Sequence, residues 1–299
     1  MSGSVRVVMT APAKVNLYLG VGAVRADGYH DVDTVLHEID LSDTVTLTPA
    51  RGVSLDADVA LGILPEENLA YRAAVALAER LGRSPDVHIS LEKRIPAGAG
   101  LGGASSDAAA VLAGLPALWQ TEVATDVLTE IAAGLGADVP FFLVGGTALY
   151  TGRGDVLEHS VEAPSLDIVV VNVGAPVPTA RAYAEFDRLG SLAAPGPVRV
   201  LEACGSGSAI AVAEALFNNM TDAAIAIVPR IADALEWCRG RADVAGCAVS
   251  GSGSAVFAIC GTRAAALEVA SAASDAGFWA RATRSSSVGV RRVSERNGS

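Results

Sequence analysis

Alternating apolar and polar residues dominate the beginning of this chain. An alternation with a period of two is typical of strands that have one buried face. On this basis strands are predicted over residues 5–10, with an extended continuation through 11–20, and over residues 32–41, 44–49 and 87–93, with Ser42 and Asp43 separating 32–41 from 44–49. The first part of the chain is therefore rich in paired strands.

Helical spacing appears first at residues 68–81, where Leu69, Ala73 and Leu77 recur every four residues and Gly82 follows. Such a repeat places apolar side chains on one helix face, and a glycine commonly ends the helix. Further helices are predicted over residues 106–115, 125–135, 179–189, 210–216, 228–238 and 263–276, and further strands over 141–150, 155–157, 166–173, 245–249, 255–260 and 279–285.

Helices and strands alternate in both halves of the chain, and the strand-rich first half indicates an α+β fold. A boundary near Pro164 predicts two domains, residues 1–160 and residues 161–290, followed by a polar, frayed tail over 291–299. Residues 190–207 are rich in glycine, alanine, serine and proline. They are predicted to be the loosest stretch.

The composition is that of a globular protein, since 51% of the 299 residues are hydrophobic and 18% are charged. A disordered chain would have the opposite balance. The formal net charge of −11 opposes binding to nucleic acid. A phosphorylated small molecule stays possible, because a local basic loop or Mg²⁺ can override the overall charge. We expect no membrane span, because no uninterrupted apolar run reaches about 18 residues.

The cysteines indicate the compartment. Cys204, Cys238, Cys247 and Cys260 form no CxxC pair and have no metal-ligand spacing. Four scattered cysteines in a chain of this size indicate small buried side chains in a reducing environment. The first ten residues lack the pattern of a signal peptide. We therefore expect a cytoplasmic protein.

The segment over residues 96–110, PAGAGLGGASSDAAA, carries the most informative chemistry of the chain. Its four glycines and small alanines leave little side-chain bulk, so a polyanion can approach the backbone closely. Ser105, Ser106 and Asp107 then lead into an alanine run that predicts a helix, with a serine or aspartate as its cap. Free N–H groups and the helix dipole favour anions there. These features predict a phosphate-binding loop.

Two familiar nucleotide motifs do not fit this segment. No lysine follows the glycines, so it is not a Walker loop. Gly98, Gly100 and Gly103 fit GxGxxG, but no strand precedes residues 118–122, where a dinucleotide site needs a second strand and an acidic residue. A flexible glycine–alanine linker is the plain alternative, and the helical continuation favours an ordered loop instead.

Three polar residues in apolar surroundings are candidates for catalysis. Lys14 and Asn16 share one face of an extended segment, and Asp138 precedes an apolar run. Lys14 could be a solvated edge residue, and Asp138 could be a turn or cap residue. Beside a phosphate loop, Lys14 becomes a candidate for stabilising a transferring phosphoryl group and Asp138 a candidate general base.

A second glycine segment, VSGSGS over residues 249–254, either forms a hairpin turn or closes over phosphates together with the first. The histidines predict no metal site, because His30, His37, His88 and His159 lack ligand spacing. His30 alone stands out, because it lies beside a predicted turn.

Taken in order, the motifs resemble those of the GHMP small-molecule kinase family. They are PAKVNLYL at 12–19, RADGYHDVDT at 25–34, PAGAGLGGASSDAA at 96–109, LGADVPFF at 135–142 and SGSGS at 250–254. The resemblance covers about residues 5–285. It implies a two-domain α+β fold with the active site in the inter-domain cleft, and ATP and Mg²⁺ as cofactors. The motifs at 12–17, 25–30 and 135–142 are most similar to members that phosphorylate the 2-hydroxyl of a diphosphocytidyl-methylerythritol.

The resemblance also implies individual roles. Asp138 would be the catalytic base and Lys14 its charge-stabilising partner. The ATP-binding residues would be Pro96, Ala97, Gly98, Ala99, Gly100, Leu101, Gly102, Gly103, Ala104, Ser105, Ser106, Asn68 and Lys93, the last two at the adenine. The substrate would contact Asn16, Tyr29, His30, Thr179 and Tyr183, with Tyr183 stacking on the cytosine. No side-chain motif binds metal, and Mg²⁺ would arrive with ATP near Ser106. We expect no nucleic acid or membrane partner, and a monomer or weak homodimer.

The chain departs from the usual family pattern in three places. Alanines stand where the glycine loop often has glycine, and alanine at positive φ is strained. An asparagine replaces an aspartate, which could weaken a local cap or contact. Serines replace a threonine and a proline in the late glycine segment. The positions are Ala97, Ala99 and Ala104, then Asn219, then Ser252 and Ser254.

The sequence opposes three other interpretations. A homoserine or mevalonate kinase of the same family is opposed by the motifs at 25–30 and 135–142. A non-catalytic ligand sensor on the same fold is opposed by the presence of both Lys14 and Asp138. A dinucleotide-dependent oxidoreductase is opposed by the missing acidic residue and by the sheet-rich first half.

Overall fold

The computed structural model describes residues 6–190 and 193–293, in which two sheets are packed with helices. The first part contains β1 (Val7–Val24), β2 (His30–Thr48), β3 (Val53–Ala57), α1 (Leu69–Arg80), β4 (Val87–Glu92), α2 (Gly103–Trp119), α3 (Thr125–Leu135), α4 (Val139–Val144), β5 (Thr147–Thr151) and β6 (Val156–Ser160). The second part contains β7 (Asp167–Asn172), α5 (Thr179–Leu189), α6 (Val198–Gly205), α7 (Ala209–Ala215), β8 (Phe217–Asn218), α8 (Thr221–Ile227), α9 (Arg230–Arg239), β9 (Val244–Val249), β10 (Val256–Cys260), α10 (Arg263–Asp275), β11 (Trp279–Arg284) and β12 (Arg291–Arg292).

The first sheet is built around the long antiparallel pair of β1 and β2. The later half of β2 pairs with β4, and its earlier half pairs with β5. β3 extends the sheet beside β4, and β6 extends it beside β5. Two short strands from the later part of the chain, β8 and β12, also pair with β1. The central strands that carry the first motifs are thus held on both sides.

The second sheet has the order β11-β7-β10-β9 and is antiparallel throughout. Its β7 carries the continuous apolar run of the sequence, and Ile168, Val169, Val170 and Val171 are all buried, as expected for a strand covered on both faces. One core lies between the first sheet and α1, α2 and α3, a second joins the two sheets, and a third lies under α5, α8, α9 and α10. The predicted α+β class is confirmed.

The predicted break between two strands at Ser42 and Asp43 is wrong, because β2 continues through these residues. The extra residues are absorbed by a register shift, in which Pro12 opposes Ser42 and Ala13 opposes Ile39. Asp43 is fully buried and accepts hydrogen bonds from the backbone N–H groups of residues 94 and 95. The pair Ser42-Asp43 therefore predicted a turn wrongly, because Asp43 is a buried strand residue whose carboxylate is hydrogen-bonded.

The predicted strand over residues 141–150 is half wrong, because the helix α4 precedes the strand β5. Pro140 lies in the first turn of α4, where proline is favoured. Phe141 and Phe142 are both fully buried, so the short apolar run has no polar face from which the period could be read. This helix matters for the site, because Asp138 immediately precedes it.

The structure differs from three further predictions. α2 begins at Gly103 rather than at Ser106 and extends to Trp119. The stretch predicted to be loosest contains the helix α6, while residues 191–192 lie outside the described residues. The predicted tail begins with β12, which pairs with Met9 and Thr10 of β1, and residues 294–299 lie outside the described residues. The division at residues 160 and 161 stays a prediction.

Candidate functional site

Most of the predicted site residues line a single cleft of about 460 Å³. They are Lys14, Asn16, Asn68, Lys93, residues 96–105, Asp138, Thr179 and Tyr183. Three predicted residues, Ser106, Tyr29 and His30, do not line it. Residues from both parts of the chain form the walls, because residues 251–253 and Met220 join the strands of the first sheet there.

The glycine loop, residues 96–104, takes its shape from alternating glycines. Gly98, Gly100 and Gly102 have φ of 62°, 77° and 74°, a region that glycine adopts freely. Among the described residues only Gln120 has a positive φ without being a glycine, so the alanines at positions 97, 99 and 104 avoid it. The strain expected from these alanines is therefore absent.

Hydrogen bonds from Val177 and from residues 250–255 hold the glycine loop. Val177 N–H donates to Gly98 O over 3.2 Å, and Ala255 N–H donates to Ala99 O over 3.0 Å. Ser250 Oγ donates to Gly100 O over 2.9 Å. A Cβ on Gly100 would lie 2.0 Å from the carbonyl oxygen of Ser250, so only glycine fits there. The late glycine segment thus closes on the first one.

The N-terminus of α2 opens at the end of the glycine loop. Its cap is Gly102, and no side chain makes a capping hydrogen bond, so the predicted serine or aspartate cap is wrong. The first backbone bond of the helix runs from Ser106 N–H to Gly102 O. The preceding N–H groups therefore have no partner within the helix, and they can bind an anion.

Lys14 and Asp138 form an ion pair in the cleft, with 3.6 Å between Lys14 Nζ and Asp138 Oδ2. Lys14 is 3% exposed, so it is no solvated edge residue, whereas Asp138 is 34% exposed. Lys14 Nζ also donates to Asn16 Oδ1 over 2.7 Å. Asp138 stands at the cap position of α4 without a capping bond, which leaves its carboxylate available to a ligand.

Thr34 supports this pair from the next strand. Its hydroxyl accepts a hydrogen bond from Asn16 Nδ2 over 2.8 Å and donates to the carbonyl oxygen of Tyr18 over 2.8 Å. The bond fixes Asn16 so that its amide oxygen faces Lys14. Thr34 was not predicted, since one threonine in an alternating strand gives no signal of its own.

Lys93 lies in a buried cluster with Asp43 and Asp107, and its ammonium group contacts both carboxylates. Burial opposes the charge of Lys93, but the two carboxylates raise its pKa above the ordinary value. Burial raises the pKa of Asp107 to about 7 despite the opposing charge of Lys93. Asp107 lines the cleft and its Oδ1 has no hydrogen-bond partner among the described residues.

Asn68, predicted to contact adenine, also has a structural role as a helix cap. Its side-chain oxygen accepts a hydrogen bond from Ala70 N–H over 2.8 Å and caps α1. Leu61 and Ile63 line the cleft close to it in the chain and supply an apolar surface. This part of the cleft therefore combines one capped helix start with apolar side chains.

Tyr183 connects the cleft to a buried aromatic group. Its ring centroid lies 5.1 Å from that of His30, and His30 lies 5.9 Å from Phe186 in an edge-to-face arrangement. His30 Nε2 is 2.8 Å from Asp187 Oδ1. Burial, and then the charge of Asp138, raise the pKa of Tyr183 to about 12. Tyr183 is thus a neutral aromatic surface facing the cleft, with His30 behind it.

Tyr29 is separate from this group and 57% exposed. The guanidinium carbon of Arg153 lies 5.1 Å from the centre of the Tyr29 ring. Arg153 and Gly154 themselves line the cleft, and neither was predicted. Thr179 Oγ1 lies 3.5 Å from Ser252 Oγ, which joins α5 to the late glycine segment.

The asparagine at position 219 fits its surroundings better than an aspartate would. Its Oδ1 accepts from Val21 N–H over 2.9 Å, and its Nδ2 donates to the Val21 carbonyl over 2.9 Å. A carboxylate could not make the second bond. Asn218 donates to the carbonyl oxygens of Val249 and Gly251. The expected weakening of a local contact at Asn219 is therefore wrong.

The described residues contain neither a metal cluster nor a membrane helix. No three histidine, cysteine, aspartate or glutamate side chains are grouped to bind a metal in residues 6–190 and 193–293. No helix in the same residues is long and apolar enough to cross a membrane. All four cysteines are free, with Cys204, Cys238 and Cys260 buried and Cys247 partly buried. The expectation of small buried cysteines is confirmed for three of them.

Comparison with known proteins agrees with the geometry. The model of the GHMP kinases N terminal domain matches residues 68–146, and the model of the GHMP kinases C terminal matches residues 200–278. A homoserine kinase structure from Cytophaga hutchinsonii, 18% identical, has a TM-score of 0.71 and covers 98% of this chain and 99% of its own, which shows a shared fold.

More similar relatives are kinases of one kind. The 4-diphosphocytidyl-2-C-methyl-D-erythritol kinase of Streptomyces coelicolor is 44% identical over 85% of this chain and 86% of its own length. That of Mycobacterium tuberculosis is 42% identical over 91% and 87%. A crystal structure of 4-(cytidine 5'-diphospho)-2C-methyl-D-erythritol kinase has a TM-score of 0.78 at 38% identity and covers 93% of this chain and 98% of its own. This chain therefore belongs to the 4-diphosphocytidyl-2-C-methyl-D-erythritol kinase family of the GHMP kinases.

Proposed function

We propose that this protein transfers the γ-phosphate of ATP to the 2-hydroxyl of 4-diphosphocytidyl-2-C-methyl-D-erythritol, giving the 2-phosphate and ADP. Membership of the family supports the substrate. The single observation that carries the chemistry is the Lys14–Asp138 pair, which faces the same cleft as the glycine loop. A site of this kind supplies an acceptor carboxylate and a cation where phosphate and hydroxyl meet.

Asp138 acts as the general base in this proposal. Its carboxylate accepts the proton of the 2-hydroxyl as the oxygen attacks the γ-phosphorus. Lys14 stabilises the carboxylate before transfer and the negative charge of the phosphoryl group during it. Asn16 holds Lys14 in place through a hydrogen bond of 2.7 Å, and Thr34 holds Asn16 through one of 2.8 Å. Burial strengthens these interactions, because water does not screen Lys14.

The glycine loop and the start of α2 bind the triphosphate of ATP. Three glycines at positive φ and small alanines leave the backbone N–H groups open to the cleft. The cross-links to Ser250 and Ala255 keep this surface formed before the nucleotide arrives. Asn68 and Lys93 line the same cleft beside Leu61 and Ile63, which supports an adenine site there.

The residues next to the glycine loop fit an accompanying Mg²⁺. Asp107 Oδ1 and Ser106 Oγ are buried oxygens without a hydrogen-bond partner among the described residues. Mg²⁺ prefers few carboxylates together with phosphate oxygens. Asp107 lines the cleft and would hold the ion, whereas Ser106, predicted to be its neighbour, does not line it. The ion would neutralise charge on the phosphates.

The cytidine end belongs with the aromatic residues. Tyr183 offers a neutral ring to the cytosine, with His30 behind it, and Tyr29 offers a second ring at the exposed edge. Thr179 lines the cleft beside Tyr183 in α5. We assign residues 1–160 to the nucleotide-binding and catalytic domain and residues 161–290 to the second domain.

We further infer a cytoplasmic monomer or weak homodimer without nucleic acid or membrane partners. Free thiols support a reducing compartment, and the net charge of −11 opposes nucleic acid. Another substrate of the GHMP kinases, or a ligand-sensing role, is not favoured by the relatives or by the intact Lys14–Asp138 pair.

The test is release of ADP in a coupled assay with ATP, Mg²⁺ and 4-diphosphocytidyl-2-C-methyl-D-erythritol. Homoserine and mevalonate serve as matched alcohols. Turnover with the cytidyl substrate alone is the expected result. Turnover with only one of the other alcohols would keep a kinase and overturn the substrate, and ATP binding without any turnover would support a sensor instead.

A further inference from the structure

We propose that Arg153 binds the diphosphate of the acceptor substrate and thereby determines specificity for a cytidine diphosphate-linked alcohol. The inference rests on the proposed function and deepens it. The substrate is linear, with the reacting hydroxyl in one half, cytosine at the other end, and two charged phosphates between them. A cation between the Lys14–Asp138 pair, which we call the reactive pair, and the aromatic residues would stabilise these phosphates.

Arg153 lies on the cleft wall, next to β2. Val32 N–H donates to Gly152 O over 2.8 Å, and Val32 bridges to Arg153, so this segment is held against β2. A Cβ on Gly154 would lie 3.9 Å from Thr34 Cγ2. Arg153 and Gly154 thus continue the wall from Thr34, the residue that fixes Asn16 and, through it, Lys14.

The other neighbour of Arg153 is Tyr29, whose ring centre lies 5.1 Å from the guanidinium carbon. Tyr29 is one of the residues proposed for the cytosine end. Arg153 therefore lies between Thr34, on the reacting side, and Tyr29, on the base side. This is the interval that the diphosphate of a bound substrate must cross.

Of the charged residues in the cleft, Arg153 is the one available to bind the diphosphate. The cleft-lining residues include three cations, Lys14, Lys93 and Arg153. Lys14 pairs with the proposed catalytic base, and Lys93 is buried between two carboxylates. Arg153 is 41% exposed, so its guanidinium group is accessible to a ligand in the cleft.

Asp155 holds the guanidinium group of Arg153 in one orientation. Its Oδ2 accepts from Arg153 Nε over 3.0 Å and from Nη2 over 2.6 Å. No hydrogen bond within the described residues uses Nη1, so that nitrogen keeps two donors for a phosphate oxygen. A planar guanidinium group with one edge fixed and another open suits phosphate recognition.

The first test compares the Arg153→Gln variant with wild type. We expect KM for the cytidyl substrate to rise about 10- to 100-fold, the range of a lost charge-assisted hydrogen bond, with KM for ATP and kcat nearly unchanged. Arg153→Lys should recover part of the affinity lost in Arg153→Gln, because lysine keeps the positive charge but lacks the planar guanidinium group. Arg25→Gln is the matched control, because Arg25 pairs with Asp27 and Asp31 on the neighbouring loop and does not line the cleft.

Calorimetric titration with CDP and with cytidine separates two roles of Arg153. If it contacts phosphate, Arg153→Gln weakens CDP about 10-fold or more and leaves cytidine unchanged. Equal weakening of both ligands would mean that Arg153 only supports Tyr29, and no change in either would also overturn the proposal. Equal melting temperatures of variant and wild type exclude a folding defect.

The proposed function can fail separately. A wild-type protein that binds CDP through Arg153 but does not phosphorylate the cytidyl substrate would overturn the reaction and keep this inference. A wild-type protein that turns over the substrate while Arg153→Gln keeps its KM and its CDP affinity would overturn this inference and keep the reaction.

Discussion

Two walls of the cleft are built in different ways. The glycine loop is anchored by backbone hydrogen bonds that reach the interior, such as Ala255 N–H to Ala99 O over 3.0 Å. Residues 25–31 and 152–155, which we name the charged rim, have backbone bonds of their own, such as Val32 N–H to Gly152 O over 2.8 Å, but their charged side chains form ion pairs at the surface. The conformation of the glycine loop is fixed by hydrogen bonds to the segments packed against it, whereas the ion pairs of the charged rim are exposed to water.

The difference corresponds to what each wall has to bind. A triphosphate is bound best by N–H groups that already point at it, since no ordering is then needed on binding. A cytidine diphosphate-linked alcohol extends from the reactive pair to the exposed edge, where adjustable side chains suffice. We therefore expect the glycine loop to be intolerant of change, and the charged rim to be tolerant except at the residues proposed to contact the substrate, such as Arg153.

The largest effect is expected at Asp138, which lines the same cleft as the glycine loop and Arg153. The Asp138→Asn variant removes the proton acceptor but leaves the glycine loop intact, so kcat should fall about 1,000-fold while ATP binding is kept. Steady-state kinetics and nucleotide titration measure the two quantities. Asp126→Asn, an exposed change on α3, is the control. Near-normal turnover of the Asp138 variant would exclude this residue as the base.

The second prediction compares one glycine from each wall. Gly100 and Gly28 have φ of 77° and 83°, but a Cβ would lie 2.0 Å from the Ser250 carbonyl oxygen at Gly100 and would meet nothing within 4 Å at Gly28. Gly100→Ala should lower the free energy of unfolding by about 3 kcal/mol and weaken ATP binding, because strain and a clash add. Gly28→Ala should cost about 1 kcal/mol, from backbone strain alone.

Denaturant unfolding of both glycine variants gives the comparison directly. Equal losses of stability at the two positions would show that the glycine loop is no more constrained than the charged rim.

The third prediction concerns acid, which should act on the interior rather than on the charged rim. His37 is buried between Thr147 and Ser285, and burial lowers its pKa to about 4. The unfolded chain, with an ordinary histidine pKa near 6.5, binds the proton more readily than the folded protein. His37 therefore reduces the free energy of unfolding as the pH falls from about 6.5 to about 4, by up to about 3 kcal/mol.

Urea unfolding at pH values from 4 to 7 measures this contribution as a difference between wild type and His37→Gln. The variant should be less stable at pH 7 and should lose about 3 kcal/mol less between pH 6.5 and pH 4. Parallel pH profiles for the two proteins would contradict the assignment to His37.

The smallest effect is expected in the charged rim itself. Arg25 forms exposed ion pairs with Asp27 and Asp31 at 3.2 and 3.0 Å. Exposed pairs contribute little because water and salt screen them. Arg25→Gln should leave the unfolding midpoint within experimental error at low and at high salt. A clear loss of stability at low salt would show that the charged rim is more rigid than its exposure indicates.

The same contrast explains how much could be predicted from the sequence. The glycine loop was predictable because its function resides in the backbone, and glycine spacing reports backbone conformation. Lys14 and Asp138 were predictable as polar residues in apolar surroundings, and the structure brings them within 3.6 Å. The identity of the substrate was predicted only from the resemblance of the motifs to those of a known family.

Long-range partnerships were not predictable from the residues. The buried charge of Asp43 is satisfied by residues about fifty positions later, so it looked like a turn in sequence. Thr34 and Arg153 acquire their places in the cleft only when β2 meets β5 and the turn after it. The helix α4 escaped prediction because its six residues, VPFFLV, are all apolar, so no polar face marks a helical period. Contacts between distant parts of the chain, rather than local spacing, determine the surroundings of Asp43, Thr34 and Arg153.

The most direct test of how the walls cooperate is phosphorus NMR of the product formed from ATP and 4-diphosphocytidyl-2-C-methyl-D-erythritol. Carbon 2 of the acceptor bears no hydrogen, so phosphate on its hydroxyl gives a new monoester resonance without three-bond coupling to hydrogen. We predict this uncoupled resonance with the wild-type protein and its near absence with Asp138→Asn. A monoester signal split by neighbouring hydrogens, or an undiminished signal from the variant, would contradict the site proposed for the transfer.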